Sequence, residues 1–359
     1  MSRNNGYPHD PDYAVPPGQT LLESIQELGM DQRELALRTG LHAKTVNEII
    51  KGKHPLSQQT AIKLERVTGV PARMWNNLEM LYQERLARMK DRERLELDLD
   101  WLKTIPTREL ITRSIIEESK DKVSLLRQVL TFFGVGTVSE WEKYWMNTLA
   151  CRFRRSQAFE TKPGVTATWM RLGELKAKGM ECEDYEKKSF LSALEQIRRL
   201  TREQPEVWQH EMISLCARAG VALVFIPEIR GCPASGVTRW LHSRKAMIQL
   251  SLRHKRDDHF WFTFFHEAGH VLEEHRKEII LEVRDSGDGE EETANRFATT
   301  FLIPKDRQKE MMSIRSRHEV ERFASELNIA PGIVVGQLQK RGVIPFSHLN
   351  DLKVKLVWA

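Results

Sequence analysis

Along the first ninety residues apolar positions recur in short bursts at helical spacing, and each of the first four bursts is closed by a glycine. The pattern predicts helices over residues 18–28, 31–39, 42–51, 57–68 and 72–88, with Gly29, Gly40, Gly52 and Gly69 at the left-handed positions that end four of them. Residues 1–16 hold asparagine, glycine and three prolines but little apolar pattern, the composition of a mobile arm. From 91 to about 204 the chain is charged and helix-forming. Trp101, Trp141, Trp145 and Trp169 are spaced through it as core residues, and FFGVGTVSEW (132–141) reads as a turn between two helices. The period then changes. VALVFIP (221–227) is an apolar run of strand type, and VTRWL and MIQLSL (within 237–252) read as two strands across a turn at 242–245. A helix is expected over 258–275, then an acidic glycine-containing loop to 289, then a second amphipathic helix over 290–301.

A chain of 359 residues exceeds one ordinary core and divides into two or three domains. With 40% hydrophobic and 29% charged residues it has the composition of a globular protein. No run approaches the roughly 20 apolar residues of a membrane span, and MSRNNGYPHD is not a secretory signal, so no membrane partner and a cytoplasmic location are expected. Cys151, Cys182, Cys216 and Cys232 show no CxxC spacing and are expected as free thiols. A net charge of +5 is small for this length, so any case for nucleic acid rests on a motif.

Residues 30–53, MDQRELALRTGLHAKTVNEIIKGK, supply that motif. Leu35, Ala36, Val46, Ile49 and Ile50 form the apolar faces of two short helices, with Gly40 at the turn and Asp31, three residues before Glu34, as a capping signal. Opposite Val46, Ile49 and Ile50 the second helix carries Lys44, Asn47, Glu48 and Lys51, a polar and mainly donating face. Gln32 and Lys53 lie where phosphates would be contacted. Gln32, His42, Lys44, Thr45, Asn47, Lys51 and Lys53 are the candidate DNA contacts. From Pro17 to about Arg88 the sequence resembles the HigA-type antitoxin branch of the Cro/cI (XRE) helix-turn-helix family, through KTVNEIIKGKHPLS and GVPARMWNNLEMLY. The resemblance implies a homodimer that binds a palindromic double-stranded operator and represses its own promoter. His42 stands where such sequences usually place a serine cap.

FFHEAGH (264–270) carries the second chemistry. Four residues of helix rise about 6 Å, so His266 and His270 share one face and both imidazoles reach one metal, with Glu267 beside it as a proton acceptor. The preceding WFTFF buries the start of this helix, and Gly269 in its middle implies a close approach to the backbone. A catalytic site of this kind needs a third protein ligand. A histidine six residues after His270 is absent, since Arg276 stands there, and His275 lies about 140° around the helix. A glutamate on the next helix remains. Periodicity puts Glu290 or Glu291 on its inward face, turns Glu292 away, and leaves the first two as alternatives.

From about Glu206 onward the chain resembles the ImmA/IrrE metallopeptidase family, in FTFFHEAGH and in E-x-x-A-N-x-F-A followed by FLIP. That resemblance implies Glu291 as third ligand, Zn²⁺ (Mn²⁺ as the alternative) as cofactor, Glu267 as catalytic base, and a repressor or antitoxin-type protein as substrate. The expected fold is mainly α. It comprises an all-α helix-turn-helix domain (17–90), a helical middle domain (91–205) and an α+β zincin-like metallopeptidase domain with a small sheet (206–359). The strand at 247–252, just before the metal helix, is a candidate to pair with an extended substrate, with a paired interior strand as the other reading. Residues 318–345 resemble a further helix-turn-helix, but the apolar segment 331–340 points to a packing role. Two functions fit: a DNA-binding transcriptional regulator that cleaves another regulator, or an antitoxin-like autorepressor whose metal domain senses a ligand or partner. Intact HEAGH favours the first, because a sensor has no need of Glu267.

Overall fold

The computed structural model describes residues 13–149, 162–273 and 288–357. Cys151, His275 and the acidic loop lie outside them. The chain divides into two compact units, Met1–Leu99 and Asp100–Ala359. Helices dominate both, and the one sheet among the described residues has three strands.

The first unit consists of α1 (Pro17–Glu27), α2 (Gln32–Thr39), α3 (Ala43–Ile50), α4 (Gln58–Thr68) and α5 (Ala72–Leu97). Its core is the periodic apolar set read from the sequence, including Leu21, Ile25, Leu35, Val46, Ile49, Leu64 and Trp75. Gly40 ends α2 at φ +66°, which makes the tight turn into α3. Gly18 lets α1 cross α3 closely, since a Cβ there would lie 2.2 Å from the Ile49 carbonyl oxygen. The last helix runs nine residues past the expected Arg88, because nothing in RMKDRERLEL breaks a helix.

In the second unit β1 (Val221–Phe225), β2 (Gly236–His242) and β3 (Lys245–Leu250) lie in the order β1-β3-β2, with β1 parallel and β2 antiparallel to β3. Every residue of β1 and β3 is buried, so both faces of the sheet need cover. Val221, Leu223, Ala246, Ile248 and Leu250 join the core built around α12 (Asp257–Glu273), α13 (Asp288–Leu302), α15 (Arg317–Leu327) and α16 (Pro331–Lys340). Their alternates, Ala222, Val224, Val237 and Met247, join a different core with Phe133, Trp141, Trp145 and Trp169. Those aromatics come from α7 (Lys122–Phe133), α8 (Val138–Trp141) with the π-turn after it, and α9 (Pro163–Lys178), which follow the short α6 (Thr107–Thr112). α10 (Lys187–Arg199), α11 (Pro205–Arg218) and the one-turn α14 (Gln308–Met311) complete the unit. The segment expected as a separate helical middle domain is therefore the second cover of the sheet. Trp169 Nε1 donates to the Ile226 carbonyl at 3.2 Å and Gln249 Nε2 to the Trp169 carbonyl at 2.7 Å, bonding the two parts together.

Gly134 after α7 and the Thr137 cap of α8 make the turn expected at 132–141. In α16, Ile333, Val334, Val335 and Leu338 are buried, as the packing reading of that segment requires. Cys182, Cys216 and Cys232 are free, and burial raises all three thiols above their ordinary range.

At its start α12 packs on α16 through two glycines. A Cβ on Gly332 would lie 2.4 Å from an Asp257 carboxylate oxygen, and one on Gly336 would lie 2.7 Å from Asp258. Asp258 is paired with Lys353 at 2.6 Å. Burial, with Asp258 beside it, pushes the Asp257 carboxyl up to about 7. Between roughly pH 4 and pH 7 the folded protein thus holds a proton that the unfolded chain releases, and stability falls as pH rises through that window, by at most about 1.4 kcal/mol per pH unit. Asp257→Asn is expected to flatten this fall. Urea unfolding of both proteins at pH 5 and pH 7.5 checks it, and an equal loss in the two would remove Asp257 as the cause.

Candidate metal centre and nucleic-acid interface

α12 is buried almost all round, and apart from Asp257 and Asp258 at its start its polar residues lie along one strip. His266 and His270 lie one turn apart on it, their Nε2 atoms 3.2 Å from each other. Glu291, in the first turn of α13, closes the group. Its Oε2 is 3.4 Å from His266 Nε2 and its Oε1 is 3.2 Å from His270 Nε2. Tetrahedral ligands about 2.0 to 2.1 Å from one ion stand about 3.3 Å apart, so two imidazoles and a carboxylate at these separations fit a divalent metal such as Zn²⁺. Among the described residues this is the one His/Cys/Asp/Glu group that could hold an ion. Hydrogen bonding to the two imidazoles holds the Glu291 carboxyl far below the usual carboxylate range, outweighing the effect of its partial burial. Glu292 is exposed and outside the group, while the side chain of Glu290 lies outside the described residues.

The two helices meet closely at this point because of Gly269. A Cβ on it would lie 3.1 Å from the Ala294 Cα and 3.3 Å from Phe297. The expected close approach to the Gly269 backbone is therefore α13 itself, and it brings Glu291 within reach of the histidines.

Glu267 is buried, at 7% exposure, and turned toward β2. Thr238 Oγ1 is 2.8 Å from Glu267 Oε2 and 2.9 Å from the Glu267 carbonyl oxygen, so the hydroxyl can donate to either. Gly236 leaves room for the glutamate, since a Cβ there would lie 2.8 Å from Glu267 Cγ and Oε1. Neither residue was identifiable beforehand. A threonine in a strand reads as an ordinary β-branched residue, and a glycine before one as a boundary. The strand at 247–252 is corrected here: β3 is hydrogen-bonded on both sides, so it has no edge to offer a substrate. β2, which carries Thr238, is the edge strand beside Glu267.

In the first unit, Asp31 Oδ1 accepts the Glu34 N–H at 2.7 Å and starts α2. His42 occupies the N-cap of α3 without a side-chain hydrogen bond, so this helix begins without the cap that a serine would supply. Val46 and Ile49 point into the core, leaving His42, Lys44, Lys51 and Lys53 exposed and Gln32, Thr45 and Asn47 half-buried. Lys44 is 3.8 Å from Glu48, an exposed pair that water screens and that leaves the lysine available. These residues form a polar surface on and around α3, of a size that a major groove admits.

Residues 21–75 match the helix-turn-helix family, and residues 228–337 match the IrrE N-terminal-like domain. Over 63 residues, 18% of this chain and 67% of the relative, the chain is 36% identical to an uncharacterized HTH-type transcriptional regulator, YddM, of Escherichia coli (strain K12). No solved structure matches significantly. No helix among the described residues is long and apolar enough to cross a membrane. A transcription regulator's DNA-binding unit thus stands on the same chain as a protease-like unit: the chain belongs to the helix-turn-helix (XRE-type) family and carries an IrrE/ImmA-like peptidase domain.

Proposed function

We propose that this protein is a transcriptional regulator that binds an operator through α3 and hydrolyses a repressor or antitoxin-type protein at a metal held by His266, His270 and Glu291. The observation that carries this reading is the three-donor group at metal-ligand separations with a buried carboxylate, Glu267, on the same helix. When bound, Zn²⁺, or Mn²⁺ in its place, polarises the scissile carbonyl and lowers the pKa of water. Glu267 takes the proton from the attacking water and returns it to the leaving amine, and the Thr238 hydroxyl holds the carboxylate in position between those two transfers. Among the described residues β2 is an outer strand, and its edge away from β3 pairs with the extended substrate. Lys44 and Asn47 reach base edges, and Gln32, His42, Thr45, Lys51 and Lys53 contact the backbone, in a homodimer on a palindromic site.

Glu267→Gln is expected to keep metal binding while losing peptide hydrolysis, because the amide is no base and both imidazoles remain. Metal analysis and mass spectrometry of candidate regulators incubated with each protein decide it; a variant that purifies without metal would make Glu267 structural.

Glu291→Ala is expected to lower metal affinity sharply and Glu292→Ala to leave it unchanged. Gly269→Val is expected to act like Glu291→Ala, because the branched side chain has no room against Ala294 and pushes α13 away. Titration calorimetry with zinc measures all three, and full affinity in a folded Gly269→Val protein would show that the helix spacing does not set the site.

Replacing Lys44 and Asn47 with alanine is expected to cost about 1 to 3 kcal/mol per lost base contact on the operator, whereas Lys53→Ala weakens all DNA binding and flattens its salt dependence. In the same gel shifts His266→Ala should match the unaltered protein. Lost DNA binding in that folded variant would instead favour a metal domain that senses rather than cuts.

A further inference from the structure

The strip of α12 that carries the metal-binding group continues toward the start of the helix. His259, Thr263 and Glu267 follow one another at four-residue spacing and share one side of α12. Thr263 borders the centre, because its Cγ2 and the Glu267 side chain both stand against Gly236, 2.6 and 2.8 Å from where a Cβ would be. Beyond Thr263 a narrow recess of about 10 Å³, room for one water molecule, opens between the start of α12 and the segments flanking β2 and β3. His254, Lys255, Arg256 and His259 line it together with Ser235, Ser251 and Thr263, and no acidic residue does.

Lys255 and Arg256 are exposed cations, and the rings of His254 and His259 are exposed beside them. The two carboxylates next to them in sequence are buried and face the other way, Asp257 against Gly332 and Asp258 against Gly336 and Lys353. No carboxylate lines the recess, so the charges of Lys255 and Arg256 dominate its rim. It is also held in shape. The rings of His254 and His259 stack with centroids 4.5 Å apart. Lys255 has a left-handed backbone, φ +51°, unusual for a residue with a side chain, and its carbonyl accepts the Leu356 N–H at 3.1 Å. Arg256 Nη1 donates to the Asn350 carbonyl at 3.0 Å.

We infer that the mouth of this recess is a specificity subsite for an acidic side chain of the peptide substrate, an inference that rests on the peptidase reading above. Its position sets the register. Thr263 and His259 lie four and eight residues before Glu267, about 6 and 12 Å along the helix, which an extended peptide spans in about two to four residues. The aspartate or glutamate therefore sits second to fourth from the scissile bond, on the side that passes Gly236. A single carboxylate meeting the Lys255 ammonium and the Arg256 guanidinium together at this mouth gains more than either exposed pair would alone, so charge discriminates between peptides here.

The test uses the full-length zinc-loaded Glu267→Gln protein, immobilised and offered a randomised synthetic dodecapeptide library, with retained peptides sequenced. At least tenfold enrichment of acidic over basic peptides is expected, abolished in the same protein carrying Lys255→Glu and His259→Glu. The neutral pair Lys255→Gln and His259→Gln, checked for fold and zinc content, is expected to reduce the enrichment and serves if the charge reversal does not fold. No charge preference, or a preference that survives these substitutions and so belongs to another surface, overturns the inference. Retained peptides are then given to the protein with Glu267 intact. Cleavage two to four residues from the acid supports the subsite, and cleavage at scattered distances overturns it. Selective retention without cleavage leaves the acidic subsite standing and removes the peptidase reading.

Discussion

Two helices can share a metal only if their axes come close enough for short side chains to meet, and here that depends on the contact between Gly269 and Ala294. With no side chain on Gly269, α13 lies directly against α12, and Glu291, one turn before Ala294, falls beside His266 and His270. A mid-helix glycine costs roughly 1 kcal/mol relative to alanine, and this one is in a helix otherwise rich in large apolar residues. The cost is offset by what the contact places: a carboxylate among two imidazoles, all at the separation one ion requires. Phe264, Phe265, Ala298 and Leu302 surround the contact with buried apolar surface and keep both helices in place.

Much of this was legible beforehand because the signals were local. The glycine stops of the first unit, the capping aspartate before α2 and the apolar faces of α2 and α3 depend on residues within a few positions of one another, and the helices fall within one or two residues of their expected bounds except at the end of α5. The four-residue spacing of His266 and His270 is local in the same sense. Choosing between Glu290 and Glu291 was not, since helical periodicity alone admits both; the family resemblance favoured Glu291, and only Glu291 has a described side chain at the histidines.

What could not be read was the partner of each face. VALVF shows that a strand is buried on both sides but not by what, and the tryptophans of 101–169 show that a helical core exists but not that it lies on that strand. Without the pairing order β3 could not be told from an edge strand. Its sequence, KAMIQL, has the buried pattern of a central one only in retrospect, because β-branched and apolar residues suit both positions. The expected subdivision at residue 205 rests on the charge pattern, which marks where helices lie, whereas the compactness of Asp100–Ala359 depends on which surfaces they cover.

β2 shows how few residues need to be placed correctly once the sheet exists. One face of this strand, Val237 and Leu241 with Arg239 between them, is committed to the tryptophan core; Arg239 pairs with the buried Glu174 at 3.3 Å and lies over the Trp145 ring. The other face, Gly236, Thr238 and Trp240, is committed to α12, where the glycine makes room for Glu267 and the threonine bonds to it. One edge is taken by β3, through a register that sets Thr238 opposite Ile248. The two faces fix the strand against rotation, because a one-residue slip would put Arg239 against Glu267 and Thr238 against the tryptophans. The position of the Glu267 carboxylate is thus set by the same alternation of side chains that builds the core.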